Sequence, residues 1–129
     1  MGNYRIAHTM IRVIDLDRSI EFYQEALGFE QVKRRDEPND EYTLVFLSDG
    51  KPNGHQLELT YNYRQDVPYD LGTAYGHLAV LVDDLEASWA AHEAKGYQPT
   101  QLKGLGSDGR PRYYFIADPD GYKIEIIRN

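Results

Sequence analysis

The order of hydrophobic and polar residues predicts that one β-α-β-β-β unit occurs twice along this chain. Residues 6–13 alternate as a strand does, and apolar residues then recur at helical spacing as far as Gly28. Residues 76–82 alternate in the same way, and a second helix at about residues 85–95 ends at Gly96. The other predicted strands are residues 30–35, 42–47, 56–61, 98–100, 113–117 and 122–127. We therefore expect an α+β fold in which two tandem βαβββ modules form a curved mixed sheet.

The two units also share identical residues at nearly constant spacing. At the spacing of His8 and His77, which are 69 residues apart, five of twelve successive positions are identical, against about one expected from average residue usage. The identical pairs are His8/His77, Val13/Val82, Asp15/Asp84, Leu16/Leu85 and Ser19/Ser88. Both aspartates are expected to cap the helices that follow them. The repeat predicts a single domain, residues 1–129, with modules at about residues 4–66 and 73–129.

A histidine or a glutamate lies on the polar face of four predicted strands. Because side chains alternate along a strand, His8 and Glu58 in the first module point away from the apolar face that packs on the helix. The same holds for His77 and Glu125 in the second module. Each residue alone is more often an ordinary polar strand residue, but symmetric recurrence favours a common role. Two carboxylates and two imidazoles on one surface suit a divalent first-row metal ion, which would also offset the repulsion between the carboxylates.

Two further polar residues share those strand faces. Arg12 is four residues along the strand from His8, where it could bind a substrate carboxylate through two hydrogen bonds. Asn62 bears the same relation to Glu58, and its amide could bind a peptide-like group. The alternative for both is an exposed polar residue at the end of a strand.

Composition and charge exclude several classes of function. The 129 residues include 14 Lys and Arg against 21 Asp and Glu, and this acidic balance argues against nonspecific nucleic-acid binding. The absence of cysteine excludes disulfides and thiolate chemistry. There is no apolar run of the length needed to span a membrane and no apolar stretch typical of a signal peptide, so we expect a cytoplasmic protein without membrane partners.

Four motifs, distributed along nearly the whole chain, indicate a known family. They are His8-Thr-Met-Ile-Arg12-Val, Leu57-Glu-Leu-Thr-Tyr-Asn62, Leu71-Gly-Thr-Ala-Tyr-Gly-His77 and Asp118-Pro-Asp-Gly-Tyr-Lys-Ile-Glu125. With these motifs the chain resembles glyoxalase I (lactoylglutathione lyase) in its short bacterial form, within the vicinal-oxygen-chelate superfamily. The second and third motifs are specific to this enzyme among its relatives.

The resemblance implies a role for each site residue. The metal ligands would be His8, Glu58, His77 and Glu125. Arg12 and Asn62 would contact glutathione, and His77 would also border the substrate. The ion would be Ni²⁺ or Co²⁺ rather than Zn²⁺, and the protein would be a homodimer.

The implied reaction isomerises the hemithioacetal of methylglyoxal and glutathione to S-lactoylglutathione. Coordination of the two vicinal substrate oxygens would stabilise the enediolate that forms as a proton moves from C1 to C2. Glu125 is expected to be the general base, and Glu58 could serve the opposite face of the substrate.

One segment departs from the family, and several alternatives stay open. Residues 103–112 are predicted to form a glycine-rich mobile loop that is longer than in many bacterial members. It contains Arg110 and Arg112, which could bind the carboxylates of the thiol or change the dimer contacts. Alternative functions within the superfamily are thiol transfer, acyl-CoA epimerisation and extradiol dioxygenation. A drug-binding protein without a metal is the non-enzymatic alternative.

Overall fold

The computed structural model describes residues 2–129, which form seven strands and two helices. In chain order the elements are β1 (His8–Arg12), α1 (Leu16–Leu27), β2 (Glu30–Glu37), β3 (Tyr42–Ser48), β4 (Gln56–Asn62), β5 (Leu78–Val82), α2 (Leu85–Ala94), β6 (Tyr113–Ala117) and β7 (Lys123–Arg128). They belong to two compact units, one extending to Asp70 and the other running from Leu71 to Asn129. Within residues 2–129, no helix has both the length and the apolar character needed to cross a membrane.

The first unit contains a four-stranded mixed sheet and helix α1. The strand order is β1-β4-β3-β2, with β1 parallel to β4 and the other neighbours antiparallel. Helix α1 contacts β2 and β4. The core of the unit consists mainly of buried apolar residues from this helix and from β3 and β4: Leu16, Phe22, Tyr23, Val45, Leu47, Leu57 and Leu59.

The second unit repeats this plan with one strand fewer. Its sheet has the order β5-β7-β6, with β5 parallel to β7 and β6 antiparallel to β7. Helix α2 contacts β7. Its core includes Leu85, Tyr114, Ile116, Ile124 and Ile126, each at most 2% exposed. The α+β class and the doubled arrangement predicted from the sequence are confirmed.

The strand predicted at residues 98–100 is wrong as a regular element. Gln98 has a left-handed backbone with φ of 55°, and Pro99 has no N–H to contribute to a ladder. The segment nevertheless follows the edge of β6. The Thr100 N–H donates to the Phe115 carbonyl at 2.9 Å, and the Lys103 N–H donates to the Tyr113 carbonyl at 3.0 Å.

Both helices begin where the sequence predicts. The Asp15 carboxylate accepts a hydrogen bond from the Arg18 N–H at 3.1 Å, and the Asp84 carboxylate accepts one from the Ala87 N–H at 3.0 Å. Helix α1 ends at Gly28, whose φ of 70° is a conformation that glycine adopts without strain. The caps therefore set equivalent start points for the two helices.

Candidate metal centre

The first module brings His8 and Glu58 into contact. Strands β1 and β4 run parallel in a register that sets Met10 beside Glu58, so His8 lies two residues earlier on the same face of β1. From there His8 Nε2 reaches Glu58 Oε1 at 2.9 Å. The His8 side chain is 42% exposed and that of Glu58 is 10% exposed. The pair therefore combines a carboxylate held in the sheet with an accessible imidazole.

The second module builds the same pair from the same register. Strands β5 and β7 are parallel, and Ala79 lies beside Glu125, again two residues after the histidine. His77 Nε2 lies 3.0 Å from Glu125 Oε1, and the two side chains are 40% and 19% exposed. The duplication seen in the sequence is therefore also a duplication of side-chain geometry.

Each imidazole also packs against a phenylalanine ring. Phe46 lies beside Glu58 in the β3–β4 ladder. The centre of its ring is 5.4 Å from the centre of the His8 ring, and the two ring planes are at 79°. Phe115 lies beside Glu125 in the β6–β7 ladder, with its ring centre 5.1 Å from that of His77 and the two planes at 84°. The sequence analysis missed both residues, although they are 69 residues apart, at the same spacing as the histidines.

The two glutamates differ in the hydrogen bonding of the second carboxylate oxygen, the one that does not contact the histidine. Thr60 Oγ1 donates to Glu58 Oε2 at 3.2 Å, in addition to the contact with His8. Thr60 lies two residues after Glu58 on β4, and the corresponding position on β7 is Ile127, which has no hydroxyl. The Glu58 carboxylate is thus held at both oxygens by neighbouring side chains, while the fold supplies no equivalent donor from β7 to Glu125.

The donor atoms of both pairs suit a divalent metal ion. Imidazole nitrogen and carboxylate oxygen each bind such ions at about 2.0–2.2 Å, so neighbouring ligands at a right angle lie about 3.0 Å apart. The separations of 2.9 and 3.0 Å match this spacing, which is also that of a hydrogen bond. Each pair is complete within its own module. Over residues 2–129, no cluster of three or more metal-binding side chains is found, and the assembly of all four around one ion stays a prediction.

The predicted substrate contacts lie on the same strand faces as the pairs. Arg12 is exposed at the end of β1, on the face that carries His8. Asn62 ends β4 on the face of Glu58, and its Nδ2 donates to the Tyr69 hydroxyl at 2.9 Å. Because the amide nitrogen binds the Tyr69 hydroxyl, the Asn62 amide oxygen points away from Tyr69.

A cavity of about 390 Å³ lies in the second module, next to its histidine–glutamate pair. Phe115, which contacts His77, forms part of its wall. Other residues lining it are Tyr97, Thr100, Lys103, Tyr113 and Lys123. The cavity thus combines aromatic walls with two lysine ammonium groups.

The loop at residues 103–112 is closed by its own hydrogen bonds. The Arg112 N–H donates to the Lys103 carbonyl at 2.8 Å, and Arg110 pairs with Asp108 at 2.8 Å. Arg128 donates from Nε to the Pro111 carbonyl at 2.9 Å and forms a two-pronged ion pair with Glu86 on α2. Arg110 is therefore engaged within the loop, whereas Lys103 borders the cavity.

Comparison with known protein families identifies the superfamily of this chain. Residues 5–126 match the family model for the Glyoxalase/Bleomycin resistance protein/Dioxygenase superfamily. The chain belongs to this superfamily. Individual relatives and solved structures then show to which family within this superfamily the chain belongs.

The lactoylglutathione lyase of Haemophilus influenzae is 47% identical over 127 residues, covering 97% of this chain and 93% of that protein. Glyoxalase I of Leishmania major, described as trypanothione-dependent, has a TM-score of 0.82 and 42% identity over 98% of this chain and 87% of its own. Glyoxalase I of Zea mays has a TM-score of 0.86 and 39% identity over 97% of this chain and 44% of its own. This chain is therefore a member of the glyoxalase I family.

Membership of the glyoxalase I family confirms the resemblance drawn from the four motifs. It also confirms the expectation of an enzyme rather than a drug-binding protein, because relatives that are 41% and 47% identical over nearly the whole chain are lactoylglutathione lyases.

Proposed function

We propose that this protein isomerises the hemithioacetal of methylglyoxal and glutathione to S-lactoylglutathione, and so detoxifies methylglyoxal. The observation that carries the proposal is the repeated pair, His8 with Glu58 and His77 with Glu125, in a chain of the glyoxalase I family. Both pairs present a nitrogen and a carboxylate oxygen at nearly equal separation.

The proposed site uses all four of these side chains as ligands of one divalent ion, Ni²⁺ or Co²⁺ in preference to Zn²⁺. When bound, the ion would supply positive charge next to the two vicinal oxygens of the substrate. The half-exposed histidines leave room for a substrate to approach, and the more buried glutamates are held by the sheet.

Glu125 is proposed as the base that takes the proton from C1 and returns it to C2. Its position on β7 lacks the hydroxyl donor that Thr60 provides to Glu58. A carboxylate without this added donor can release one contact at lower cost and accept a proton. Glu58, held by His8 and Thr60, is suited to ligation and could serve the opposite face of the substrate.

The thiol part of the substrate is proposed to be glutathione. Arg12 could bind one of its carboxylates, and Asn62, oriented by Tyr69, could accept from a peptide N–H. His77 would border the reacting end of the substrate. Lys103 and Lys123 line the cavity beside Phe115, and their ammonium groups could bind further carboxylates of the thiol compound.

The proposal includes a homodimer, in which each chain forms a single domain over residues 1–129 with modules at about residues 4–66 and 73–129. A cytoplasmic location is also part of it, since a chain without cysteine suits a reducing compartment.

The test is a metal series on stripped protein. Protein treated with a chelator is reloaded with Ni²⁺, Co²⁺ or Zn²⁺, and thioester formation from methylglyoxal is followed with glutathione and with trypanothione. We expect activity to return with glutathione, more with Ni²⁺ or Co²⁺ than with Zn²⁺. The variants His8→Gln and His77→Gln should lose it, whereas His55→Gln, a change at an exposed histidine outside both pairs, should not.

Two results would reject parts of this proposal separately. No thioester with any ion and any thiol would reject the activity. Full activity with trypanothione and none with glutathione would reject only the thiol.

A further inference from the structure

We infer that Phe46 and Phe115 are positioning residues, which hold the planes of the His8 and His77 imidazole rings in the orientation that metal binding requires. The inference rests on the proposed metal site. It concerns two side chains that have no ligand atom of their own, and it assigns them the same task in the two modules.

A single contact to a carboxylate constrains an imidazole incompletely. The contact from His8 Nε2 to Glu58 Oε1 fixes the position of the nitrogen more firmly than the tilt of the ring. The nitrogen lone pair lies in the ring plane, so an ion binds well only when that plane points at it. A second contact is needed to set the plane.

In many metal sites that second contact is a hydrogen bond from the other ring nitrogen to a carboxylate or a carbonyl. For both histidines in the described chain, residues 2–129, the hydrogen-bonding contact of the ring is the glutamate at Nε2. The other directional contact is the phenylalanine, which meets the imidazole nearly at a right angle in both modules. Edge-to-face rings have a preferred geometry, and this preference restricts the tilt.

The two phenylalanines are themselves held in place. Each is paired by backbone register with the glutamate of its own module, so the imidazole, the carboxylate and the phenyl ring are set by adjacent strands. The Lys33 ammonium lies 5.2 Å from the centre of the Phe46 ring, and the Tyr113 ring meets Phe115 at 5.9 Å and 86°. The supports differ between the modules, but the contact to histidine is the same. This recurrence indicates that the contact itself is the common feature.

The experiment measures metal affinity without substrate, because Phe115 also lines the cavity and could affect turnover directly. Stripped wild type, Phe46→Leu, Phe115→Leu, Phe46→Tyr and Phe115→Tyr are titrated with Ni²⁺ against a competing chelator. We expect each leucine variant to bind the ion about 2- to 10-fold more weakly, and each tyrosine variant, which keeps the ring, to bind it as wild type does. Phe22→Leu removes an edge-to-face partner of Tyr23 in the core of the first unit and should leave the affinity unchanged.

A second measurement uses the wild-type protein and therefore does not depend on whether a variant folds. In the NMR spectrum of stripped wild type, the ring protons of His8 and His77 should both show ring-current shifts from a perpendicular phenyl ring. Leucine variants that bind Ni²⁺ as tightly as wild type, or histidine signals without such shifts, would overturn the inference while leaving the metal site in place. A wild-type protein that binds no divalent ion would overturn the inference together with the proposed function.

Discussion

Glu58 and Glu125 occupy equivalent positions in two separate sheets, yet only Glu58 is followed by a residue that donates to it. Glu58 is contacted by His8, the first residue of the parallel strand β1, and Glu125 by His77, which immediately precedes the parallel strand β5. Each glutamate also lies beside a phenylalanine of the antiparallel neighbouring strand. Two residues later the modules differ, because Thr60 donates to Glu58 and Ile127 has no hydroxyl. This difference in an otherwise repeated arrangement separates the roles of the two carboxylates.

The first prediction follows from this difference and concerns turnover. Glu125→Gln should lower kcat by about 10²–10⁴-fold, the range expected when a general base is removed. Thr60→Val should lower it by less than about tenfold, because it removes one neutral donor and leaves both carboxylates. Turnover is measured as thioester formation with saturating metal, and Glu93→Gln, an exposed site on α2, is the control. Equal activity of Glu125→Gln and wild type would remove Glu125 from the catalytic role.

The second prediction concerns how the Asn62 amide is oriented for substrate. Tyr69→Phe should raise KM for the glutathione hemithioacetal by about 3- to 10-fold and leave kcat nearly unchanged, because it frees the amide to turn. In an Asn62→Ala background the same change should have no further effect. If Tyr69→Phe raises KM equally in both backgrounds, Tyr69 acts independently of Asn62.

The third prediction concerns stability at a buried polar network in the second unit. The Tyr114 hydroxyl lies 2.6 Å from Ser88 Oγ and 2.7 Å from His92 Nδ1, and Tyr114 is fully buried. Burial raises the pKa of the Tyr114 phenol above its ordinary value. Tyr114→Phe removes both hydrogen bonds and should lower the free energy of unfolding by about 1–3 kcal/mol in a urea titration. The control is Tyr4→Phe, since Tyr4 is 90% exposed. A Tyr114→Phe protein as stable as wild type would contradict the expectation.

The fourth prediction concerns the pH dependence of the Glu86–Arg128 pair. The hydrogen bonds from Arg128 lower the pKa of Glu86 below its ordinary value of 4.5. A carboxylate with a lowered pKa in the folded state stabilises the fold above its ordinary pKa, and this contribution is lost as the pH falls through the folded-state value. The difference in unfolding free energy between wild type and Glu86→Gln should therefore be constant near neutral pH and shrink once the pH falls below about 4.5. Urea titrations at a series of pH values measure it, with Glu93→Gln as the control, and a difference that does not change with acidification would count against the linkage.

The outcome at residues 98–100 illustrates what a local pattern misses. The sequence predicts a strand there after the second helix, but the left-handed backbone of Gln98 and the missing N–H of Pro99 interrupt the ladder. The segment still bonds to β6 at Thr100 and Lys103, because the edge of that strand offers unpaired groups. Edge pairing depends on a partner that is distant in sequence, and a local pattern does not contain it.

Repetition and alternation are properties of the linear chain, so the sequence by itself determined the doubled fold, the aspartate caps and the strand face of each histidine and glutamate. The tertiary structure decided which side chains meet. The parallel registers of β1 with β4 and of β5 with β7 bring His8 to Glu58 and His77 to Glu125, and antiparallel neighbours then place Phe46 and Phe115 against the imidazoles. Register between strands far apart in the chain arises from packing and backbone hydrogen bonding of the whole sheet, and for that reason these contacts emerge only in the folded protein.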